Sequence, residues 1–162
     1  MNRQLLEKVR YDEKIAMAED LLFNARVITS NEEFKITVCK EVVYNYVDVP
    51  NSATKSAYSA KVLHGLETEA KVYEELKVID KDKRLSKVIF SGVITFFYKY
   101  SMLGSAERKR YVADLKKANK IVRKYENYLL EKRSRSLIDR CKMFAILYVP
   151  NMYMAVRSKG KK

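Results

Sequence analysis

AERKRYVADLKKANKIVRKYENYLLE, residues 106–131, places Tyr111, Leu115, Ala118, Val122, Tyr125 and Leu129 alternately four and three positions apart. That spacing sets all six on one side of an α-helix, while charged and polar residues fill the other side. A helix with a single apolar seam needs an antiparallel neighbour to cover it. The region therefore reads as part of a helix bundle.

The neighbours that such a helix needs can be read on both sides of it. Ser52 is placed to cap a helix over 53–79, with Leu63, Leu66, Ala70, Tyr73 and Leu76 as its stripe. Further helices are expected over 84–102 and 134–148, and Pro150 marks a break before a short helical tail. Only 4 Gly and 2 Pro interrupt the chain, which suits long helices and few tight turns. Upstream, residues 3–9 allow a short helix and 17–29 a clearer one. In the latter, Leu21, Leu22, Ala25 and Ile28 recur at helical spacing. Between these regions, FKITVCKEVVYNYVDV (34–49) alternates and is rich in β-branched and Tyr residues. It reads as strands at 35–39 and 42–48, ended by Pro50-Asn51-Ser52. The expected fold class is α+β, predominantly α. It comprises an N-terminal helical segment, one β-hairpin, then a bundle of about four helices.

The 162 residues suffice for one domain with a core, and 48% of them are hydrophobic. The net charge of +13 is unevenly spread. Residues 1–53 carry 7 Lys/Arg against 9 Asp/Glu, whereas 54–162 carry 26 against 11. The second part is thus fitted to face an anionic partner, either nucleic acid or an acidic membrane surface. Cys39 and Cys141 form neither a metal spacing nor a disulfide framework, so a reduced, cytoplasmic setting is the simplest expectation. The charged start MNRQLLEKVRYDEK has no apolar signal region, and the longest apolar run, Val88 to Tyr98, is too short to span a bilayer.

Two motifs bear on chemistry. Tyr11-Asp12-Glu13 is followed by Ala18-Glu19-Asp20-Leu21-Leu22-Phe23-Asn24. A carboxylate pair opening an apolar helix is first of all a favourable helix start. About 20 residues later come Val43-Tyr44-Asn45-Tyr46 and Asn51-Ser52. In this order and spacing the two motifs resemble the acceptor-side part of family 2 glycosyltransferases of the GT-A type, over about residues 5–56. In that family a Gly-Glu-Asp-Leu-Leu-Phe-Asn type motif precedes a Tyr-x-Tyr strand and an Asn-Ser turn. The resemblance implies Asp20 as general base for inverting sugar transfer and Glu19 as its support. It also implies Tyr44, Tyr46, Asn51 and Ser52 as acceptor-side candidates, and a glycan or lipid-linked acceptor. A positioned carboxylate is what such chemistry needs, because a hydroxyl attacks poorly until its proton is accepted.

The pattern departs from the family at two places. Ala18 stands where Gly is usual, which keeps the backbone further from the substrate. No nucleotide-sugar-binding half precedes Met1, and such a half would carry the Asp-x-Asp motif for Mg²⁺ or Mn²⁺. This chain is therefore expected to bind no cofactor or metal, to have the GT-A half as its partner, and to self-associate through the surface that half would cover. Residues 1–53 are read as the end of the catalytic domain and 54–162 as a basic helical extension. Asp80-Lys81-Asp82 has the letters of the metal motif but lies between helices, and is read as a solvated turn. His64, the sole histidine, is read as a packing or surface residue. The last 31 residues hold nine Lys/Arg around an apolar, Tyr-containing patch. They read either as a core helix with a solvated basic face or as an interfacial helix on anionic lipid at the inner face of the plasma membrane, the latter with Tyr148 and Tyr153 near the headgroups and separable from the earlier helices. The competing reading is a basic helical binding module for membrane or nucleic acid. No specific nucleic-acid motif supports the latter.

Overall fold

A computed structural model describes residues 9–30, 57–79, 86–130 and 136–159. Among the described residues every regular element is a helix. In chain order they are α1 (Glu19–Thr29), α2 (Ala60–Leu76), α3 (Ser86–Ser101), α4 (Ser105–Arg110), α5 (Val112–Lys124), α6 (Glu126–Leu129), α7 (Leu137–Tyr148) and α8 (Pro150–Lys159). None is long and apolar enough to cross a membrane.

The expected α+β class is thereby corrected to all-α for the described residues, since no strand occurs among them. The physical reason is that each amphipathic helix finds its cover on another helix, so the core closes without a sheet. The strands expected at 35–39 and 42–48 lie outside the described residues, as do residues 3–8 of the short helix expected at 3–9, Ser52 and the Asp80–Asp82 turn; Val9, the last residue of that short helix, is described and is not helical. The helix expected from 53 begins at Ala60, after an extended Ser59 (φ −147°, ψ 166°).

The main core runs from Tyr58 to Met154. It joins Leu63, Leu66 and Ala70 of α2 to Ile89, Val93, Phe96, Phe97 and Tyr100 of α3. Tyr58 stands at its centre, with ring centroids 5.7 Å from Phe96, 5.6 Å from Tyr100 and 5.0 Å from Tyr111. Its hydroxyl donates to Asp114 Oδ2 at 3.0 Å, so the buried phenol is satisfied. A second, smaller cluster packs Leu22 and Ala25 of α1 against Val72 and Leu76 of α2. Both flanks of α2 are therefore used.

The expected seam over 106–131 is present: Ala118, Val122, Tyr125 and Leu129 are buried, and Tyr111 and Leu115 pack against them. The single helix is instead three, with breaks at Tyr111 (φ −101°, ψ 22°) and Tyr125 (φ −106°, ψ 17°). Both breaks fall on seam tyrosines held from the α2 side. Tyr111 meets Tyr58, while Tyr125 meets Tyr73 at 5.3 Å and donates to Glu74 Oε1 at 2.6 Å.

The C-terminal segment follows the core-helix reading and not the separable interfacial one. Met143, Ile146 and Leu147 of α7 and Tyr153 and Met154 of α8 belong to the main core, and α8 packs on α3. Tyr153 is buried, away from any headgroup, whereas Tyr148 is exposed. Val149 (φ −136°, ψ 54°) breaks the chain, and Pro150 restarts it at the first position of α8, where its missing N–H costs nothing. The segment is thus part of the bundle and not separable from it. Deleting residues 142–162 should abolish cooperative thermal unfolding of the remaining chain. The milder Ile146→Ala, at a fully buried position, should cost about 2–5 kcal/mol in denaturant melts.

Candidate functional site

Residues 9–18 form an irregular segment whose ring at Tyr11 lies flat on Phe23, with centroids 4.2 Å apart and planes 4° apart. The Ile15 amide donates to the Asp12 carbonyl at 3.0 Å and closes a turn there. The acidic Tyr11-Asp12-Glu13 segment is thus brought beside the helix that carries the carboxylate pair.

That helix opens on an unusual residue. Ala18 is left-handed (φ 60°, ψ 28°), the one non-glycine residue with positive φ among those described. The conformation favours glycine, because the Cβ of an L-residue crowds the following carbonyl. It turns the chain so that Glu19 and Asp20 occupy the first turn of α1, both exposed. Asp20 Oδ1 accepts from the Leu21 amide at 2.7 Å, and the Ala18 carbonyl accepts from the Leu22 amide at 3.2 Å. Carboxylates at this helix end are favoured by the unpaired amides and the dipole.

A charged trench lies along the other end of α1. Its larger part, about 780 Å³, is lined by Arg10, Asp12, Glu13, Arg26 and Glu75. Arg26 Nε meets Glu75 Oε1 at 3.4 Å in the trench wall. A second part, about 410 Å³, shares Arg26 and Glu75 and continues between α2 and α5 past Lys71, Glu74, Lys124 and Tyr125. There Glu74 accepts from Lys124 Nζ at 2.7 Å, from Tyr125 and from Lys77. These bonds hold its carboxyl down at about 2. Asp20 does not line the trench; the six residues separating it from Arg26 amount to about 9 Å of helix rise.

Of the expected site residues, Asp20 and Glu19 are placed together on α1. Tyr44, Tyr46, Asn51 and Ser52 lie outside the described residues. His64 is exposed on α2, and its carbonyl accepts from Thr68 Oγ1 at 2.8 Å. Among the described residues no group of three or more His, Cys, Asp or Glu could hold a metal ion.

Sequence reasoning missed Glu69, a carboxyl held inside the α2–α3 contact. It accepts from the Gly92 amide at 2.6 Å and from Ser91 Oγ at 3.2 Å. Burial outweighs these bonds and pushes its carboxyl up to about 7. The available signal was Gly92, a glycine interrupting the apolar run of a helix, which marks close approach of another backbone.

Compared with known proteins, the chain matches no protein-family model, no curated protein and no solved structure.

Two predictions follow the local geometry. Ala18→Gly removes the left-handed strain and should stabilise the protein by about 1 kcal/mol in denaturant unfolding. For Glu69, the raised folded value means that the native state keeps a proton which the unfolded chain releases above about 4.5. That stabilisation is complete below about 4.5 and is lost as pH rises through about 7. Glu69→Gln removes the ionisation, so its Tm relative to the wild type should climb by a few degrees between about pH 5 and about pH 8. A constant difference across that range would mean that Glu69 ionises as freely as a solvated carboxyl.

Proposed function

We propose that the chain is the acceptor-side part of an inverting glycosyltransferase resembling family 2, with Asp20 as general base. The observation that carries the reading is the left-handed Ala18 immediately before Glu19-Asp20 at an exposed helix start. Glycine takes a positive φ without strain, and here alanine holds that conformation at the position of the motif's glycine. In the proposed step the acceptor hydroxyl gives its proton to an Asp20 carboxylate oxygen. Its oxygen bonds to the anomeric carbon of the donor sugar, and the bond from that carbon to the nucleotide's phosphate oxygen breaks. The nucleoside diphosphate leaves on the opposite face, so the centre inverts. Glu19 stands beside the base as its supporting neighbour. The trench of Arg26, Glu75, Glu74 and Lys124 offers donors and acceptors in pairs, which suits a hydroxyl-rich acceptor chain.

The donor would be held by a nucleotide-sugar-binding half contributed by further sequence. The test begins with the reading frame upstream of the Met1 codon. The longer product should transfer sugar with inversion. In it, Asp20→Asn should lower kcat by about 10²–10⁴ while leaving donor KM near that of the wild type, because Asn keeps the shape but cannot take the proton. Near-normal turnover of the Asn variant would reduce Asp20 to a helix-start residue.

A further inference from the structure

The bundle leaves one large apolar face uncovered, on the side of α7 and α8 away from the core. Leu137, Phe144 and Tyr148 of α7 are exposed, followed by Val149 and by Met152 and Val156 of α8. Leu137 (72%), Val156 (66%) and Met152 (59%) leave most of their surface in solvent. The positions fall on one helical stripe, 137, 144 and 148 and then 152 and 156, with Val149 between the two helices. Phe144 and Tyr148 rest against each other at 4.6 Å and so form a joint aromatic surface. The opposite stripe of the same helices, Met143, Ile146, Leu147, Tyr153 and Met154, fills the core. Each helix is therefore apolar on two sides, and only one side is needed for folding.

The charge around this face is mainly basic; the acid that touches it, Glu126, accepts from the Tyr148 hydroxyl and is paired with Arg123 at 3.4 Å. Residues 132–162 contain nine Lys/Arg and one acidic residue, Asp139. Asp139 is bound by Lys142 Nζ at 3.3 Å and by Ser136 Oγ at 2.8 Å, so the acid is already answered. The basic residues bracket the apolar helices: Lys132, Arg133 and Arg135 precede α7, and Arg157, Lys159, Lys161 and Lys162 close the chain. An apolar stripe with an aromatic pair and basic residues at both ends has the complementarity of an acidic lipid surface, where acyl chains take the stripe and headgroups take the cations. A second copy fits poorly, since a two-fold contact would bring two strongly basic segments together. Nucleic acid would use the cations and leave the stripe in water.

We propose that the outer face of α7 and α8 docks the protein on an anionic bilayer, with the stripe from Leu137 to Val156 entering the headgroup boundary. The inference does not depend on the glycosyltransferase reading and stands or falls separately from it.

The test is co-sedimentation of the full chain with phosphatidylserine-rich vesicles and with pure phosphatidylcholine vesicles across a salt series. The wild type should bind the anionic vesicles well above the neutral ones, weakened but not abolished by salt, because the apolar contribution is not screened. Phe144→Ser, Met152→Ser and Val156→Ser combined change only exposed side chains. They should leave helical content unchanged by circular dichroism while lowering vesicle affinity at least tenfold. Lys159→Gln, Lys161→Gln and Lys162→Gln combined should lower it about a hundredfold at low salt, at roughly fivefold per charge. Absence of binding to anionic vesicles, or equal binding by the wild type and the Ser variant, would overturn the proposal. So would a wild-type dimer that the Ser substitutions dissolve, which would give the face to a second copy. Duplex DNA binding that falls steeply with salt, without lipid preference, would overturn it in favour of nucleic acid.

Discussion

Helices α2 and α3 approach each other at Gly92, and the rest of the bundle is arranged around that approach. A Cβ at position 92 would displace the Glu69 carboxylate and lie 3.3 Å from the Leu66 Cα, so the two backbones meet at a spacing that suits glycine and crowds any larger residue. The close contact brings Ile89, Val93, Phe96 and Phe97 into the stripe of α2 and lets Tyr58 reach across to Phe96 and Tyr100. It also traps Glu69 between the helices. A carboxyl there is costly to ionise, and the Gly92 amide and Ser91 hydroxyl offset part of that cost. The joint that fixes the core thus contains a group whose charge depends on pH near neutrality.

Tyrosine does much of the remaining work. Tyr58, Tyr111 and Tyr125 each place a ring in or against the core, and Tyr58 and Tyr125 send a hydroxyl to a carboxylate, Asp114 and Glu74. Such residues supply large buried area and still satisfy a polar atom. They also set the breaks between α4, α5 and α6, because a ring gripped by α2 or Tyr58 fixes the local backbone more firmly than helix propensity does. Tyr100 follows the same logic at the end of α3, donating to the Arg108 carbonyl at 2.9 Å and thereby tying the turn before α4.

These contacts separate what the sequence made legible from what it did not. The 111–129 seam, the α2 stripe and the restart at Pro150 are periodic or local, and they appear as read. The breaks at Tyr111 and Tyr125 were hidden because their cause lies on another helix. The two readings of the C-terminal segment, core helix and interfacial helix, were inseparable in the sequence for a related reason. Two apolar stripes on one short helix look like one amphipathic face in a sequence, and only the packing shows that Ile146 and Tyr153 point inward while Phe144 and Met152 point outward. At the candidate site the Glu19-Asp20 pair and its helix start were legible, whereas the half-buried carboxyl of Glu69 had no signal beyond a misplaced glycine.

Ala18 ties these threads to function. A non-glycine residue in the left-handed region costs about 1–2 kcal/mol, and nothing in α1 itself requires it, because Ser, Asp or Asn in an extended conformation would begin a helix more cheaply. The strain buys an abrupt entry: the chain runs past Phe23 with Tyr11 stacked on it, turns at Asp12 and again at Ala18, and delivers two carboxylates at the exposed tip of a helix anchored by Leu22 and Ala25. A tip held this way is rigid at its base and open at its end. Backbone strain is thus concentrated next to the paired acids, at the base of an exposed helix tip. The same α1 packs on α2, whereas α8 packs on α3, so the carboxylate tip and the apolar-basic face are carried by opposite partners of the central helix pair.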